Sequence, residues 1–241
     1  MDLVDIHCHM LWGLDDGCRT PEETVEAARA LASLGYTDVA PSPHAQARYA
    51  GGDAAASARR LAQARERIAE AGITLRLHGG AENPLDRRYL SLLAAGTPRG
   101  LGETQRYALV ELPFIDAVPD MVAMLGQILA AGIRPIVAHP ERCLEFDQPG
   151  RAAEAVRAGA ALQLNLGSLT GRHGQLAYEL SERFLTEGLY SVAGTDLHGP
   201  LEAADWIDEA LTALEKRSGA QALRRLCSEN PRRALAGDPL L

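Results

Sequence analysis

Side chains able to bind metal ions recur in this sequence at one kind of place, just after short apolar runs. His7 and His9 follow Leu3 to Ile6, with Asp15 and Asp16 close behind; His44 follows Thr37 to Ala40, and Glu82 follows Ile73 to Leu77. Glu111 ends the run Tyr107 to Val110, His139 follows Pro135 to Ala138, and Asp196 and His198 follow Tyr190 to Ala193. Five of the seven histidines fall in this set. Imidazoles mixed with carboxylates suit Mn²⁺, Fe or Zn²⁺, whereas a structural zinc site leans on thiolates and closes at four ligands. The candidate metal ligands are therefore His7, His9, Asp16, His44, Glu82, Glu111, His139, Asp196 and His198, too many for one ion and suited to two or three. Paired ions hold a hydroxide nucleophile that attacks a phosphoryl group, and they stabilise the attacking and leaving oxygens of phosphate-ester cleavage.

A single histidine at a strand end is ordinarily structural; repetition at separate strand ends carries the metal reading. Buried carboxylates at Glu82, Glu111 and Asp196 would also repel one another without a cation. Within a strand, residues i and i+2 share a face, so His7 and His9 can reach one ion while Cys8 points away, and the same holds for Asp196 and His198. Spacing alone leaves open whether Asp15 or Asp16 is the ligand.

Arg142, three residues beyond His139, is the candidate catalytic and substrate-binding group because a guanidinium clamps a phosphoryl group through two parallel bonds. Its plainer reading is an ion pair with Glu141 or Glu145. Arg48, beyond His44, is a second candidate for substrate binding. Trp12 and Phe114 could stack on a substrate ring or simply fill core, and His78 and His173 read as structural or exposed. Cys227 and Arg233 have the Cys-x5-Arg spacing of thiol phosphatases, but an acid and a proline stand where backbone N–H groups would have to cradle phosphate.

These groups need a scaffold that brings strand ends together. The apolar runs, with Ala161 to Leu164 added, make seven expected strands. Helical periodicity fills the gaps at Pro21 to Leu34, Ala54 to Ala71, Ala117 to Ala131, Arg151 to Ala158, His173 to Glu187 and Leu201 to Lys216, and Asn230-Pro231 opens a last helix. Alternating strands and helices imply a parallel sheet with helices outside, and α/β barrels place active sites at the C-terminal strand ends. GxGxxG and GxxxxGK[ST] are absent after the first strand, which argues against nucleotide binding.

The 241 residues fit one domain over 1–241, with 46% hydrophobic and 23% charged residues. A net charge of −8 excludes a general nucleic-acid binder, and no apolar stretch is long enough for an integral membrane protein. A cytoplasmic location follows as the expectation. The four cysteines form no CxxC pair and read as reduced thiols.

Asp5-Ile6-His7-Cys8-His9 with Asp15-Asp16-Gly17 resembles the opening motif of the PHP (polymerase and histidinol phosphatase) superfamily. Pro41-Ser42-Pro43-His44, Gly80-Ala81-Glu82, Tyr107 to Phe114, Ala138 to Arg142, Gly167 to Gly171 and Thr195 to His198 resemble, in order, motifs of its bacterial protein-tyrosine phosphatase branch. The resemblance implies a distorted (β/α)7 TIM-like barrel with a manganese-preferring cluster. It implies hydrolysis of phosphotyrosine on a tyrosine autokinase of capsular or exopolysaccharide export, at its C-terminal tail. The nine ligand candidates inherit metal roles and Arg142 a phosphate-binding role. The sequence departs from that branch at Pro84, where an arginine is common, and in Gly199 to Trp206, which contains none. The rivals are a small-molecule phosphatase such as a histidinol-phosphate phosphatase, a metal-dependent amidohydrolase, which would want a bridging lysine, and a metal-binding docking domain without catalysis.

Overall fold

The computed structural model describes residues 1–201 and 203–241. Eight strands run β1 (Leu3–Asp5), β2 (Tyr36–Val39), β3 (Arg76–Leu77), β4 (Glu82–Pro84), β5 (Tyr107–Glu111), β6 (Arg134–Ala138), β7 (Ala161–Asn165) and β8 (Tyr190–Gly194). They form two sheets, in the orders β1-β2-β3 and β4-β5-β6-β7-β8, and every neighbouring pair is parallel. The sheets meet at two isolated parallel bridges, Cys8 with Leu197 and His44 with Glu82. Backbone N–H groups of Asp196 and His9 donate to His7 and Leu197 across one seam (2.7 Å each), and Ala45 donates to Glu82 across the other (2.8 Å).

Helices cover the outer face: α1 (Pro21–Ser33), α2 (Ala54–Glu70), α3 (Arg87–Ala94), α4 (Met121–Ala130), α5 (Arg151–Arg157), α6 (Gln175–Thr186) and α7 (Ala203–Arg224), while α8 (Asn230–Ala236) lies across one end of the strands. Caps fix several starts. Thr20 accepts from the backbone N–H of Glu23 ahead of Pro21, and Asp53 and Asp86 cap α2 and α3 in the same way. Gly219 interrupts α7 at φ 80°. Among the described residues no helix is long and apolar enough to cross a membrane.

Both faces of the strands are buried, as parallel sheets require. One set of alternate residues, including Ala108, Val110, Val137, Leu162 and Leu164, packs outward against the helices. The other set, Val4, Ile6, Leu109, Ile136 and Val192, packs inward and is covered by Leu101 with Ala234 and Leu235 of α8. This cover lies at the strands' starting end, since Tyr107, first residue of β5, donates its hydroxyl proton to the Asp238 carbonyl at 2.9 Å. Gly102 permits the close fit: a Cβ there would lie 2.5 Å from the Leu235 carbonyl oxygen.

The expected strands and helices are present, most with ends shifted by a few residues and α7 running eight residues beyond Lys216, with two additions. β4 lies beyond the run expected to end at Leu77, and α3 occupies part of the stretch between Leu77 and Tyr107, where no element is expected. Proline is tolerated in β4 because Pro84 ends it, and α3 forms because Asp86 caps it and Tyr89 and Leu93 bury one face. Residue Glu202, in the segment expected to be helical from Leu201, lies outside the described residues.

Candidate metal centre

Strand β1 ends in a backbone that turns His7 and His9 into the interior, both fully buried. Each imidazole has one nitrogen committed. His7 Nδ1 lies 2.8 Å from Gln163 Oε1, and His9 Nδ1 lies 2.7 Å from Asp15 Oδ2. A carboxylate or amide oxygen can only accept, so each Nδ1 carries the proton and each Nε2 presents a lone pair. Those two Nε2 atoms face each other at 3.4 Å.

Acids close around them. Asp196 Oδ1 lies 3.3 Å from both Nε2 atoms, and Glu82 Oε1 and Oε2 lie 3.3 and 3.4 Å from His7 and His9. Glu82 is the hub, also 3.1 Å from His139 Nε2 and 2.9 Å from His44 Nδ1. Glu111 stands 3.9 and 3.8 Å from the same two imidazoles. On the solvent side Asp16 lies 3.5 Å from His44 Nε2 and 3.6 Å from His198 Nε2. All nine expected ligand candidates thus fall into four overlapping donor groups: His7–His9–Asp196, His7–Glu82–His139, His44–Glu82–Glu111 and His9–Asp16–His44–His198.

The donor chemistry fits a group of cations. Lone pairs converge on lone pairs, and His44 Nδ1 and Glu82 Oε2 are buried without a hydrogen bond despite their proximity. Burial and then the neighbouring Glu82 charge push Glu111 up to about 7. Burial acts the same way on Glu82 and Asp196, but the surrounding imidazoles outweigh it and hold both well below the usual carboxylate range. Protons on the histidines compensate the acids in that arrangement, and divalent ions replace those protons.

The backbone is strained where it aims these groups: His139 has φ 29° and Asp196 φ 54°, values rare outside glycine. Asp15 and Asp16 have different surroundings. Asp15 accepts from the backbone N–H of His44 (2.9 Å) and Gly17 (3.0 Å) while holding His9. Asp16 is half exposed, faces His44 and His198, and accepts from the Tyr49 hydroxyl at 3.1 Å. Gly17 is where the loop passes closest, since a Cβ there would lie 1.9 Å from the His9 carbonyl oxygen.

Arg142 points at the cluster and donates to Asp196 Oδ2, with its guanidinium 4.7 Å from the Phe114 ring centre. Neither acid expected from local spacing is its partner. Glu145 pairs with Arg151, and Glu141 is buried, accepting from the Asn165 backbone N–H and the Ser168 and Tyr190 hydroxyls. Phe114 is 42% exposed at the mouth, whereas Trp12 is buried beneath Arg60. His78 bonds Asp38 at 2.9 Å, away from the cluster. Cys227 is buried, and burial raises its thiol pKa, which leaves it without nucleophilic character. Arg48 lies on the wall of a cavity of about 660 Å³ that opens over Glu82, Glu111, His139 and Arg142.

Sequence reading overlooks Gln163, Gln46 and Arg88. Gln163 orients His7 and accepts from the backbone N–H of His139 at 3.3 Å. Its signal is a lone amide inside the apolar run Ala161 to Leu164. Gln46 donates to Glu111 at 3.2 Å, and Arg88 reaches the cavity from α3.

Residues 3–236 match the family model for capsular polysaccharide synthesis, CpsB/CapC. The tyrosine-protein phosphatase YwqE of Bacillus subtilis (strain 168) is 31% identical over 238 residues, covering 95% of this chain and 89% of that protein. The tyrosine-protein phosphatase CpsB of Streptococcus pneumoniae is 25% identical over 240 residues, covering 97% and 98%. A crystal structure from the pair YwqE of B. subtilis and CpsB of S. pneumoniae, unique metal-dependent tyrosine phosphatases, superposes with a TM-score of 0.91 at 28% identity, covering 99% of this chain and 96% of the other. Histidinol phosphate phosphatase of Lactococcus lactis shares the fold at a TM-score of 0.59 and 13% identity, covering 90% and 94%.

Proposed function

From the premise that this chain belongs to the CpsB/CapC family of capsular polysaccharide synthesis, we propose that it is a metal-dependent protein-tyrosine phosphatase, hydrolysing the phosphomonoester of phosphotyrosine. The observation that carries this reading is the facing pair of His7 and His9 Nε2 lone pairs at 3.4 Å, walled by Glu82 and Asp196. Two or three ions would be held in this reading, among the four overlapping donor groups His7–His9–Asp196, His7–Glu82–His139, His44–Glu82–Glu111 and His9–Asp16–His44–His198. When bound, such ions supply Lewis acidity and an activated water for in-line attack on phosphorus. Mixed imidazole and carboxylate donors suit Mn²⁺, Fe or Zn²⁺, and the resemblance to a manganese-preferring branch puts Mn²⁺ first.

The chain's own groups do the rest. Arg142 binds the phosphoryl oxygens, with Phe114 supporting the flat face of its guanidinium. Gln163 and Asp15 hold His7 and His9 in the tautomers that expose Nε2. The leaving phenolate has a conjugate-acid pKa of about 10 and departs with less help from a proton donor than an alkoxide would need. The same reading takes β3 and β4 as halves of one interrupted strand, so that the seams at Cys8–Leu197 and His44–Glu82 close a distorted (β/α)7 barrel forming one catalytic domain. In this reading the enzyme works in the cytoplasm, and its substrate is the phosphotyrosine-bearing C-terminal tail of a tyrosine autokinase of polysaccharide export.

Hydrolysis of a phosphotyrosine peptide, histidinol phosphate and p-nitrophenyl phosphate, each with Mn²⁺ and with EDTA, tests the proposal. Chelator-sensitive turnover favouring the peptide supports it. Preference for histidinol phosphate moves the function to small-molecule metabolism, and inactivity on all three with metal present in the protein favours an unrecognised substrate or a metal-binding docking domain without catalysis.

A further inference from the structure

Two arginines on the wall of the metal-centre cavity have no part in the chemistry above. Arg88, in the first turn of α3, donates from Nη1 to the Ala45 carbonyl oxygen at 3.0 Å, which ties it to the loop leaving His44. Arg48, in that loop, stacks on Tyr49 with 4.8 Å between guanidinium and ring centre. Both line the same cavity as Arg142. Among the described residues neither forms an ion pair, although Asp16, Glu82 and Glu111 line that cavity too. Arg142, by contrast, meets Asp196 directly. A guanidinium close enough to grip a phosphoryl group at the cluster would also be close enough to its carboxylates. Arg48 and Arg88 stand off from them. Asp86, the other acid on this wall, is engaged as the cap of α3, accepting from Tyr89 at 2.7 Å.

Resting on the phosphatase reading, we propose that Arg48 and Arg88 form a second anion subsite that takes the carboxylate of an acidic residue flanking the phosphotyrosine. An extended peptide advances about 3.3–3.6 Å per residue, so a residue up to three positions from the phosphotyrosine lies within about 11 Å of it. The chain carries a net charge of −8, which repels an acidic phosphopeptide at long range. A local pair of unpaired arginines offsets that repulsion and selects the segments able to use it.

The test uses the Mn²⁺-loaded enzyme and phosphotyrosine peptides carrying Glu, Ala or Lys within three residues on either side. Binding of matching peptides with a non-hydrolysable phosphonomethyl-phenylalanine is followed by fluorescence anisotropy. The expected wild-type preference for Glu over Lys is roughly three- to tenfold, carried by KM and by the analogue's Kd, and weakened by salt. Arg88→Ala and Arg48→Ala each reduce it. Arg88→Glu reverses it in favour of the Lys peptides, a gain that a misfolded protein cannot show. The proposal is overturned if the wild type does not discriminate, or if Arg88→Glu leaves the order unchanged. It is also overturned if hydrolysis of p-nitrophenyl phosphate falls by the same factor as that of the Glu peptide, because the arginines would then grip the phosphoryl group itself. Inactivity of the wild type on every phosphotyrosine substrate strikes the phosphatase reading instead, and the anisotropy series still decides the subsite.

Discussion

At one end of the strands, Val4, Ile6, Leu109, Ile136 and Val192 meet Leu101 and α8 in an apolar plug; at the other, β1, β5, β6 and β8 deliver His7, His9, Glu111, His139 and Asp196, joined by Glu82 from the start of β4. The plug has each side chain in contact with its complement and gains stability from burial alone. The metal end gathers like-charged carboxylates, opposed lone pairs and strained backbone at His139 and Asp196, features that cost stability unless a cation is present. Strand starts hold the fold together and strand ends do chemistry, a division expected of barrel-like α/β folds.

Substitutions at the two ends should therefore separate activity from stability. His139→Ala or Asp196→Ala should reduce phosphatase activity by more than the roughly 100-fold upper range for groups that merely orient a ligand. Bound manganese should fall with it while far-ultraviolet circular dichroism stays native, and full activity in either variant would remove the metal assignment. Leu109→Ala, in the plug, should cost about 2–5 kcal/mol in urea unfolding with unchanged kcat per folded molecule; a lowered kcat at full folding would mean that the ends are coupled. Gln163→Leu keeps the volume but leaves His7 Nδ1 and the His139 backbone N–H without their acceptor, and should weaken metal affinity roughly 10–100-fold in a chelator competition while costing the metal-free protein about 1–3 kcal/mol in urea unfolding.

The smallest effect is a pH dependence outside the metal centre. Asp38 is buried, and although burial raises its pKa, Arg76 and His78 outweigh this and hold it well below the usual carboxylate range, with Arg232 of α8 also in contact. Its folded pKa lies below its unfolded one, so its contribution is complete above about pH 4 and disappears as pH falls through the folded value. Wild-type melting temperature should therefore drop more steeply below that pH than that of Asp38→Asn, and parallel curves would assign the acid sensitivity elsewhere.

Sequence pattern reaches the metal end more readily than the rest of the site. Ligand residues must sit at strand ends, so a histidine or acid following an apolar run marks both the strand and the site at once. Partners brought together by closure leave no such mark. Arg142 lies 54 positions from Asp196 in the chain, and local spacing offers it only Glu141 and Glu145. β4 is hidden for a related reason, since Glu82-Asn83-Pro84 has no apolar alternation and its pairing comes from the extension of β2 and from β5. The α3 signal was available in the Asp86 cap and the spacing of Tyr89 and Leu93, but the preceding proline reads as loop. Arg88 is missed along with that helix.

The seam between Cys8 and Leu197 bears on how the protein is made. His9 and His7 are translated 187 and 189 residues ahead of Asp196, their shared neighbour. Closing so long a loop is slow relative to local helix formation. In the proposed metal reading the two histidines wait during translation beside an incomplete ligand set, and the emerging polypeptide acquires its full affinity for ions only when β8 docks against β1. Metallation of the centre therefore reports the end of folding, and a chain truncated before Asp196 can display most of the helices of this protein and none of its catalysis.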